Sequence, residues 1–197
     1  MKYLLSCFLC ILFGFQAWSR NPAEKQARDH AEKTLLAEGY AKSDLAEAVV
    51  TAQHTTWHNG LTHVYYQQVY QGLEVIDAVM NTHVDKRGET VGMNNSFHKQ
   101  LDRKRKAKGR TVAAPMALRL AARQLGIPGT GGIRWIQKPE GVDQACVLRC
   151  DNYSLDEIPA RLKYVVTDNE ELRLVWDLVL RPPSGDHWWN VAVDAMN

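Results

Sequence analysis

The sequence predicts an α+β protein made of two small units, each with one helix packed on an antiparallel sheet. The first observation is the segment from His63 to Phe97, where apolar and polar residues alternate on both sides of Gly72. Alternation with a period of two buries one face of a strand and leaves the other in water. The second observation is a later segment, from Leu172 to Arg181, with the same period. A helical pattern precedes each sheet. The composition, 45% hydrophobic and 23% charged over 197 residues, suits one domain or two small ones.

The N-terminus, residues 1–19, has the pattern of a secretory signal peptide. Lys2 supplies the positive start, residues 3–15 form the apolar region, and Ala17 and Ser19 are small residues at the cleavage positions. The apolar region is too short for a comfortable membrane span. We therefore expect signal cleavage and a protein that is secreted or periplasmic, with no membrane span.

The first unit is predicted over residues 20–97. A helix begins at Pro22, where Asn21 is in a capping position, and ends at Gly39. Its buried face consists of Ala27, Ala31 and Leu35. An extended segment and the Asn59-Gly60 hairpin signal follow. The unit is therefore expected to be one helix followed by four antiparallel strands, with Ile76 on the same buried face as Met80.

Residues 98–111 form a basic linker with seven basic residues and one acidic residue. A polyanion-binding patch or a proteolytic processing site at Arg103, Lys104, Arg105 and Lys106 is one interpretation. A solvated linker is the favoured one. The net charge of the whole chain is only +2, so no general attraction to nucleic acid is expected.

The second unit is predicted over residues 112–197. Pro115 suits the first turn of a helix whose apolar face includes Leu118 and Ala122. One strand near Cys146 and a three-stranded meander over residues 161–167, 172–181 and 187–194 follow. Trp188 and Trp189 should point to opposite faces of the last strand, one into the core and the other outward as an interface anchor.

Two cysteines, Cys146 and Cys150, remain after the signal peptide. Four strand steps place them roughly 13 Å apart, too far for a disulfide unless the chain bends. Two packed or free thiols are the favoured interpretation, with a disulfide across a bend as the alternative.

The sequence offers few catalytic patterns. His54, His58 and His63 cluster around the hairpin, but the H-E-x-x-H motif and a nearby carboxylate ligand are missing, which favours surface histidines over a zinc site. Asp177 and Asp194 could act as paired carboxylates, but exposed or turn-capping side chains are the simpler interpretation. We assign no catalytic, cofactor-binding or metal-binding residue, and leave open whether the chain is part of an enzyme precursor.

Two blocks resemble the propeptide region of secreted zinc metallopeptidases. The block from His63 to Phe97 resembles the fungalysin/thermolysin propeptide domain, and residues 160–197 look like the PepSY-type half of the same propeptides. The shared motifs are the Tyr/Gln-rich strand, Gly72 with Val75, Val84-Asp85-Lys86 with Gly88, Asn95-Ser96-Phe97, Leu174-Val175-Trp176-Asp177, His187-Trp188-Trp189-Asn190 and Val193-Asp194-Ala195. The likeness is greatest to the fungalysin branch and implies a cystatin-like architecture.

The resemblance implies that the chain is an intramolecular chaperone and inhibitor of a metallopeptidase catalytic domain, acting in cis or as a cleaved complex. Zinc and H-E-x-x-H are expected in that domain, which these 197 residues do not include. Exposed-aromatic reasoning predicts contacts through Tyr65, Tyr70, Trp188 and Trp189. The alternative is a stand-alone exported binding or peptidase-inhibitor module. A reading frame that continues past Asn197 into H-E-x-x-H favours the first, and a stop codon there the second.

Overall fold

The structure is a computed structural model that describes residues 22–105, 112–129 and 131–196. The helices in these residues are α1 (Pro22–Ala37), α2 (Lys42–Leu45), α3 (Leu101–Lys104) and α4 (Ala114–Gln124). The strands are β1 (Val49–Thr55), β2 (Thr62–Tyr70), β3 (Leu73–Val84), β4 (Thr90–Asn95), β5 (Arg134–Glu140), β6 (Ala145–Arg149), β7 (Ile158–Val166), β8 (Leu172–Leu180) and β9 (Trp189–Asp194). The α+β class is confirmed. The predicted signal peptide, with Ala17 and Ser19, lies outside the described residues. None of the described helices is long and apolar enough to cross a membrane.

The first part of the sheet is an antiparallel β1-β2-β3-β4 arrangement with α1 on one face. The predicted helix face is correct, because small residues let α1 lie close to the strands while Leu35 fills the space between them. The core between helix and strands is Ala27, Ala31, Leu35, Tyr40, Val64, Tyr66, Met80, Val84 and Phe97. The opposite face of these strands carries exposed or half-buried side chains such as His54, Tyr65 and Val79, and we call it the open face.

Strand β3 changes its buried face at Asp77. This residue has a φ of 58°, and the pairing of β2 with β3 shifts register next to it. One extra residue in a strand reverses the alternation of side chains beyond it. The buried residues are therefore Leu73 and Val75 before Asp77, and Ala78, Met80, Thr82 and Val84 after it. The prediction that Ile76 shares the buried face of Met80 is wrong, and Ile76 is only half-buried.

The second part of the sheet is antiparallel in the order β5-β6-β7-β8-β9, and α4 packs against β8 and β9. Trp176 is fully buried, and its indole N–H donates to the carbonyl oxygen of Val112 at 2.9 Å. The other large buried side chains of this core include Leu118, Leu148, Ile158, Leu172, Leu178 and Leu180. Strand β5 was not predicted, because nearly all its side chains are exposed and show no alternation.

A parallel pairing of β3 with β7, at Val75 and Tyr164, joins the two parts into one nine-stranded sheet. The ammonium of Lys163 on β7 lies 3.1 Å from the carboxylate of Glu74 on β3, which adds an ion pair across the junction. The core that α4 covers also contains four residues from the first part of the sheet: Tyr70, Leu73, Val75 and Ala78. Strand β3 therefore contributes to both cores.

Candidate partner-binding surface

Two exposed tryptophans lie where the second part of the sheet ends. Trp188 is 64% exposed and Trp189 is 41% exposed. The guanidinium of Arg181 lies 5.4 Å from the Trp188 ring centroid, and the ring of His187 stacks on Trp189 at 5.4 Å. We call these four side chains the tryptophan surface. Aromatic rings held by their neighbours lose little conformational freedom on binding and are frequent anchors of interfaces.

The prediction that one of these tryptophans enters the core is wrong. Trp188 precedes the first residue of β9, so the alternation of strand side chains does not apply to it. Trp189 pairs with Leu180 at the end of β9, an edge strand that is bonded to β8 on one side. Both rings are therefore available for contact.

A groove of about 700 Å³ lies beside the tryptophan surface. Trp189 and His187 line it together with the turn at Pro182 and Pro183. The remaining lining residues are Leu125, Gly126, Ile127, Pro128, Asp151, Asn152 and Ser184. A mixed apolar and polar groove of this size accommodates a few side chains of a polypeptide segment.

Tyr65 is half-buried on the open face of the first part of the sheet, where its ring stacks on His54 at 5.8 Å. Four strand steps separate its strand, β2, from β9 along the sheet. At about 4.8 Å per step, these strands lie roughly 19 Å apart. Tyr65 and the two tryptophans would therefore be separate parts of a broad interface.

Tyr70 is buried and was wrongly predicted as a contact residue. Its side chain is 4% exposed, and its hydroxyl donates to the Asp102 carboxylate at 2.7 Å. Its ring packs edge-on against Tyr164 at 5.6 Å. Burial, followed by the hydrogen bond and charge of Asp102, raises the pKa of Tyr70 to about 12. The residue anchors the segment that follows β4.

The segment that follows β4 begins with a turn that is hydrogen-bonded to buried side chains. Leu101 is fully buried, and the buried Asp44 carboxylate accepts from the backbone N–H groups of Gln100 at 2.7 Å and Leu101 at 2.9 Å. The buried side-chain oxygen of Gln68 accepts from the backbone N–H of His98 at 2.9 Å. Buried groups on α2 and β2 thus fix the start of the predicted linker.

The predicted processing residues are only partly accessible. Lys104 is ion-paired with Glu170, and its hydrogen bond holds the pKa of the Glu170 carboxyl below its usual range. Arg103 and Arg105 are both exposed, although the backbone of Arg105 forms a β-bridge with the first residue of β8. Lys106 lies outside the described residues. Residues 101–105 thus combine a buried Leu101 and a backbone held by the fold with charged side chains that are exposed at Asp102, Arg103 and Arg105.

Cys146 and Cys150 are free thiols, and both are buried. The Cys146 thiol donates to the carbonyl oxygen of Ala160 at 3.5 Å. The interpretation as packed thiols is confirmed, with Cys146 on β6 and Cys150 directly after its last residue.

Asp177 and Asp194, which were considered as paired carboxylates, are held in separate ion pairs. Asp177 lies 2.9 Å from the ammonium of Lys163, and Asp194 accepts from Arg173 at 3.1 Å through Nε. Asp194 also accepts from the backbone N–H of Met196 at 2.7 Å, which agrees with the expected turn-capping role, whereas Asp177 is not the exposed side chain that was the other expectation. Among the described residues, no group of three or more His, Cys, Asp or Glu side chains is arranged to hold a metal ion.

Sequence reasoning missed two further exposed aromatic residues. Trp57 is 91% exposed in the β1–β2 hairpin, and Trp135 is 39% exposed on β5. The neighbouring Asn59-Gly60 turn was the one signal that could have placed Trp57 at a hairpin tip.

Comparison with known families decides the nature of the first part of the sheet. Residues 46–97, which cover β1 to β4, match the family described as the Fungalysin/Thermolysin Propeptide Motif. The first part of the sheet is therefore similar to a fungalysin/thermolysin propeptide domain. The predicted likeness to a fungalysin-type propeptide is thereby confirmed, and the match supports a propeptide role for the chain.

Curated relatives extend the likeness beyond the propeptide domain. The chain is 31% identical to the extracellular metalloproteinase MEP of Leptosphaeria maculans over 132 residues, which are 66% of this chain and 21% of the relative. It is 28% identical to extracellular metalloproteinase 2 of Phaeosphaeria nodorum over 79% of this chain and 25% of that relative. It is 26% identical to an extracellular metalloproteinase of Pyrenophora tritici-repentis over 80% of this chain and 26% of that relative. The chain thus spans about a quarter of the length of the curated relatives that it matches.

Proposed function

We propose that this chain is the propeptide region of a secreted zinc metalloendopeptidase, in which it assists folding of the catalytic domain and inhibits it until the two are separated. The observation that carries the proposal is the propeptide motif at residues 46–97, which covers the four strands β1 to β4 on which α1 packs. The names of the relatives, extracellular metalloproteinases, support secretion and the metallopeptidase partner.

The zinc and its ligands would belong to the catalytic domain. There the metal would activate the water that attacks the peptide bond, which is the usual role of zinc in hydrolysis. The role of this chain would be to present a preformed surface to the catalytic domain. A surface that is ordered before contact loses less conformational entropy on binding, so it can both guide a folding partner and cover its cleft.

The tryptophan surface is the best candidate for the main contact. Its rings are exposed, held by Arg181 and His187, and border a groove of about 700 Å³. Covalent linkage would place the partner at an effective concentration on the order of millimolar, so a modest surface is sufficient for inhibition in cis.

The experiment is inhibition of a fungalysin-type catalytic domain by the purified chain, with a peptide substrate. The domain comes from the same precursor where the reading frame continues past Asn197, and otherwise from the Leptosphaeria maculans relative. We expect dose-dependent inhibition. Replacing both Trp188 and Trp189 with alanine should raise the inhibition constant at least about tenfold, since interface tryptophans each contribute about 2 kcal/mol or more.

The matched control is Trp57→Ala, which removes an exposed tryptophan from the β1–β2 hairpin. It should leave the inhibition constant unchanged, and all variants should keep the thermal midpoint of the parent chain. Absence of inhibition by the parent chain contradicts the proposed function and favours the stand-alone module. Equal inhibition by the parent and the double variant contradicts only the assignment of the tryptophan surface.

A further inference from the structure

Three histidines form a row across the open face of the first part of the sheet. His54 on β1 pairs with His63 on β2, which pairs with His83 on β3. The rings of His54 and His63 stack with centroids 4.7 Å apart, and those of His63 and His83 meet edge-on at 4.8 Å. We call these residues the histidine row. Each is opposite its neighbour in an antiparallel pair, so the sheet itself holds the rings together.

The neighbouring strand leaves room for the row. Gly92 on β4 lies opposite His83, and a Cβ at Gly92 would stand 3.1 Å from Cδ2 of that ring. A larger residue at this position would push against the imidazole. At Gly92 the histidine row therefore meets the backbone of β4 and not a side chain.

Hydrogen bonds in the row depend on protonation. Nδ1 of His63 lies 2.9 Å from Nδ1 of His83, and Nε2 of His63 lies 2.9 Å from the hydroxyl of Thr56. The bond between the two Nδ1 atoms needs one nitrogen with a proton and one without. When both rings are protonated, two N–H donors face each other and the bond is lost.

Within the described residues, no carboxylate acts on His63 to compensate a positive charge there. Thr56 and Tyr65 are neutral, and the charges that act on His63 are those of His83 and His54. Asp85, at the end of β3, is 3.6 Å from the guanidinium of Arg87 and also accepts from the backbone of its own turn. Burial, followed by His83 and His54, lowers the pKa of His63 from its ordinary value of 6.5.

We propose that the histidine row is a pH-sensitive element that stabilises the propeptide's first sheet while its rings are neutral and weakens that sheet on acidification. Well above pH 6.5, the ordinary pKa of histidine, His63 is neutral in both the folded and the unfolded chain, and its contacts are complete. As the pH falls through this value, the unfolded chain takes up a proton at His63 that the folded chain resists, so folding stability decreases. Each unit by which the folded pKa lies below the unfolded pKa changes the folding equilibrium about tenfold.

The inference concerns the fold of this chain and does not require the proposed function. If the chain does inhibit a secreted peptidase, an acidic medium would loosen the inhibitor without any cleavage. Loss of the pH response would leave the inhibition assay unaffected, so the two proposals fail separately.

The test compares thermal unfolding of the purified chain at about pH 7.5 and about pH 5, on either side of the histidine titration. The variant is His63→Gln with His83→Gln, which keeps polar side chains but cannot be protonated. We expect the midpoint of the parent chain to fall on acidification and the midpoint of the double variant to fall by less than half as much. An equal fall in both proteins overturns the proposal.

Two single variants serve as controls. His30→Gln changes an exposed histidine of α1 and should behave as the parent chain. His98→Gln measures how much His98 contributes to the pH dependence of the midpoint, because burial and then Lys104 also lower the pKa of His98.

Should the double variant fail to fold, nitrogen-15 NMR titration of the histidine rings in the parent chain replaces the unfolding experiment. His63 should titrate below 6.5, and titration at or above this value overturns the proposal. A pH response that disappears in EDTA would also overturn it, because a bound metal ion would then be responsible.

Discussion

Replacement of Asp44 by alanine tests whether residues 98–105 are held by the fold. Asp44 lies on α2, is fully buried, and sits 57 positions before Leu101 in the sequence. Its carboxylate accepts three backbone N–H groups, from Ala41 at 2.8 Å, Gln100 at 2.7 Å and Leu101 at 2.9 Å. The Asp44 side chain thus caps the start of α2 and is hydrogen-bonded to the start of α3.

The expected loss of stability follows from these three bonds. Hydrogen bonds to a charged group contribute about 1.5–3 kcal/mol each, but such values are not additive, and water enters part of the vacated space. We therefore expect Asp44→Ala to lower the free energy of unfolding by about 4 kcal/mol. Asp44→Asn keeps the shape and one acceptor oxygen, and should lower it by about 2 kcal/mol.

The assay is urea unfolding followed by circular dichroism, combined with brief trypsin digestion and mass analysis. In the parent chain, the bonds after Lys104 and Arg105 should be cut late, because α3 must first detach. In Asp44→Ala they should be cut early. Asp29→Ala is the control, since Asp29 is exposed on α1 and makes only a 3.9 Å contact with Lys25. A loss below about 1 kcal/mol in Asp44→Ala, or unchanged cleavage after Lys104 and Arg105, would refute this reasoning.

Three further predictions concern buried contacts. Tyr70→Phe should lower stability by about 1 kcal/mol and should remove the phenol that titrates near pH 12; a titration curve equal to that of the parent chain would contradict the buried hydroxyl. Trp176→Phe removes the indole that donates to Val112 and should cost about 2–3 kcal/mol in urea unfolding, whereas a neutral effect would argue against this bond. Gly131→Ala would place a Cβ 2.3 Å from Sγ of Cys150, and should cost about 1–3 kcal/mol. Adding Cys150→Ala should recover most of that loss, and simple additivity of the two changes would contradict the predicted clash.

Local patterns predicted most of the secondary structure. The alternation in β2, β3 and β8 and the apolar faces of α1 and α4 are visible in short windows, because each depends on which side of one element is buried. Strand β5 lacks such a pattern, since Trp135 and Ile136 are both exposed at a sheet edge. The reversal at Asp77 was also missed, because a single residue of left-handed backbone leaves no periodic signal.

Contacts between distant residues were beyond the reach of sequence patterns. The pairing of Val75 with Tyr164 joins the two parts of the sheet, and nothing near either residue indicates it. Tyr70 appeared to be a surface aromatic because its partner, Asp102, lies 32 positions later in the chain. Of the two rings at Trp188 and Trp189, the sequence predicted one to be exposed, and the structure exposes both. Sequence alternation assigned one ring to the core, whereas the strand begins one residue too late for that.

Assisted refolding of the catalytic domain tests the propeptide role most directly. A fungalysin-type catalytic domain is denatured in guanidinium and diluted with or without an equimolar amount of this chain. The chain is then removed by limited proteolysis, and peptidase activity is measured with zinc present. A propeptide role predicts that recovered activity is several-fold higher with the chain than with an equal amount of an unrelated protein. Equal recovery in the two mixtures would contradict it.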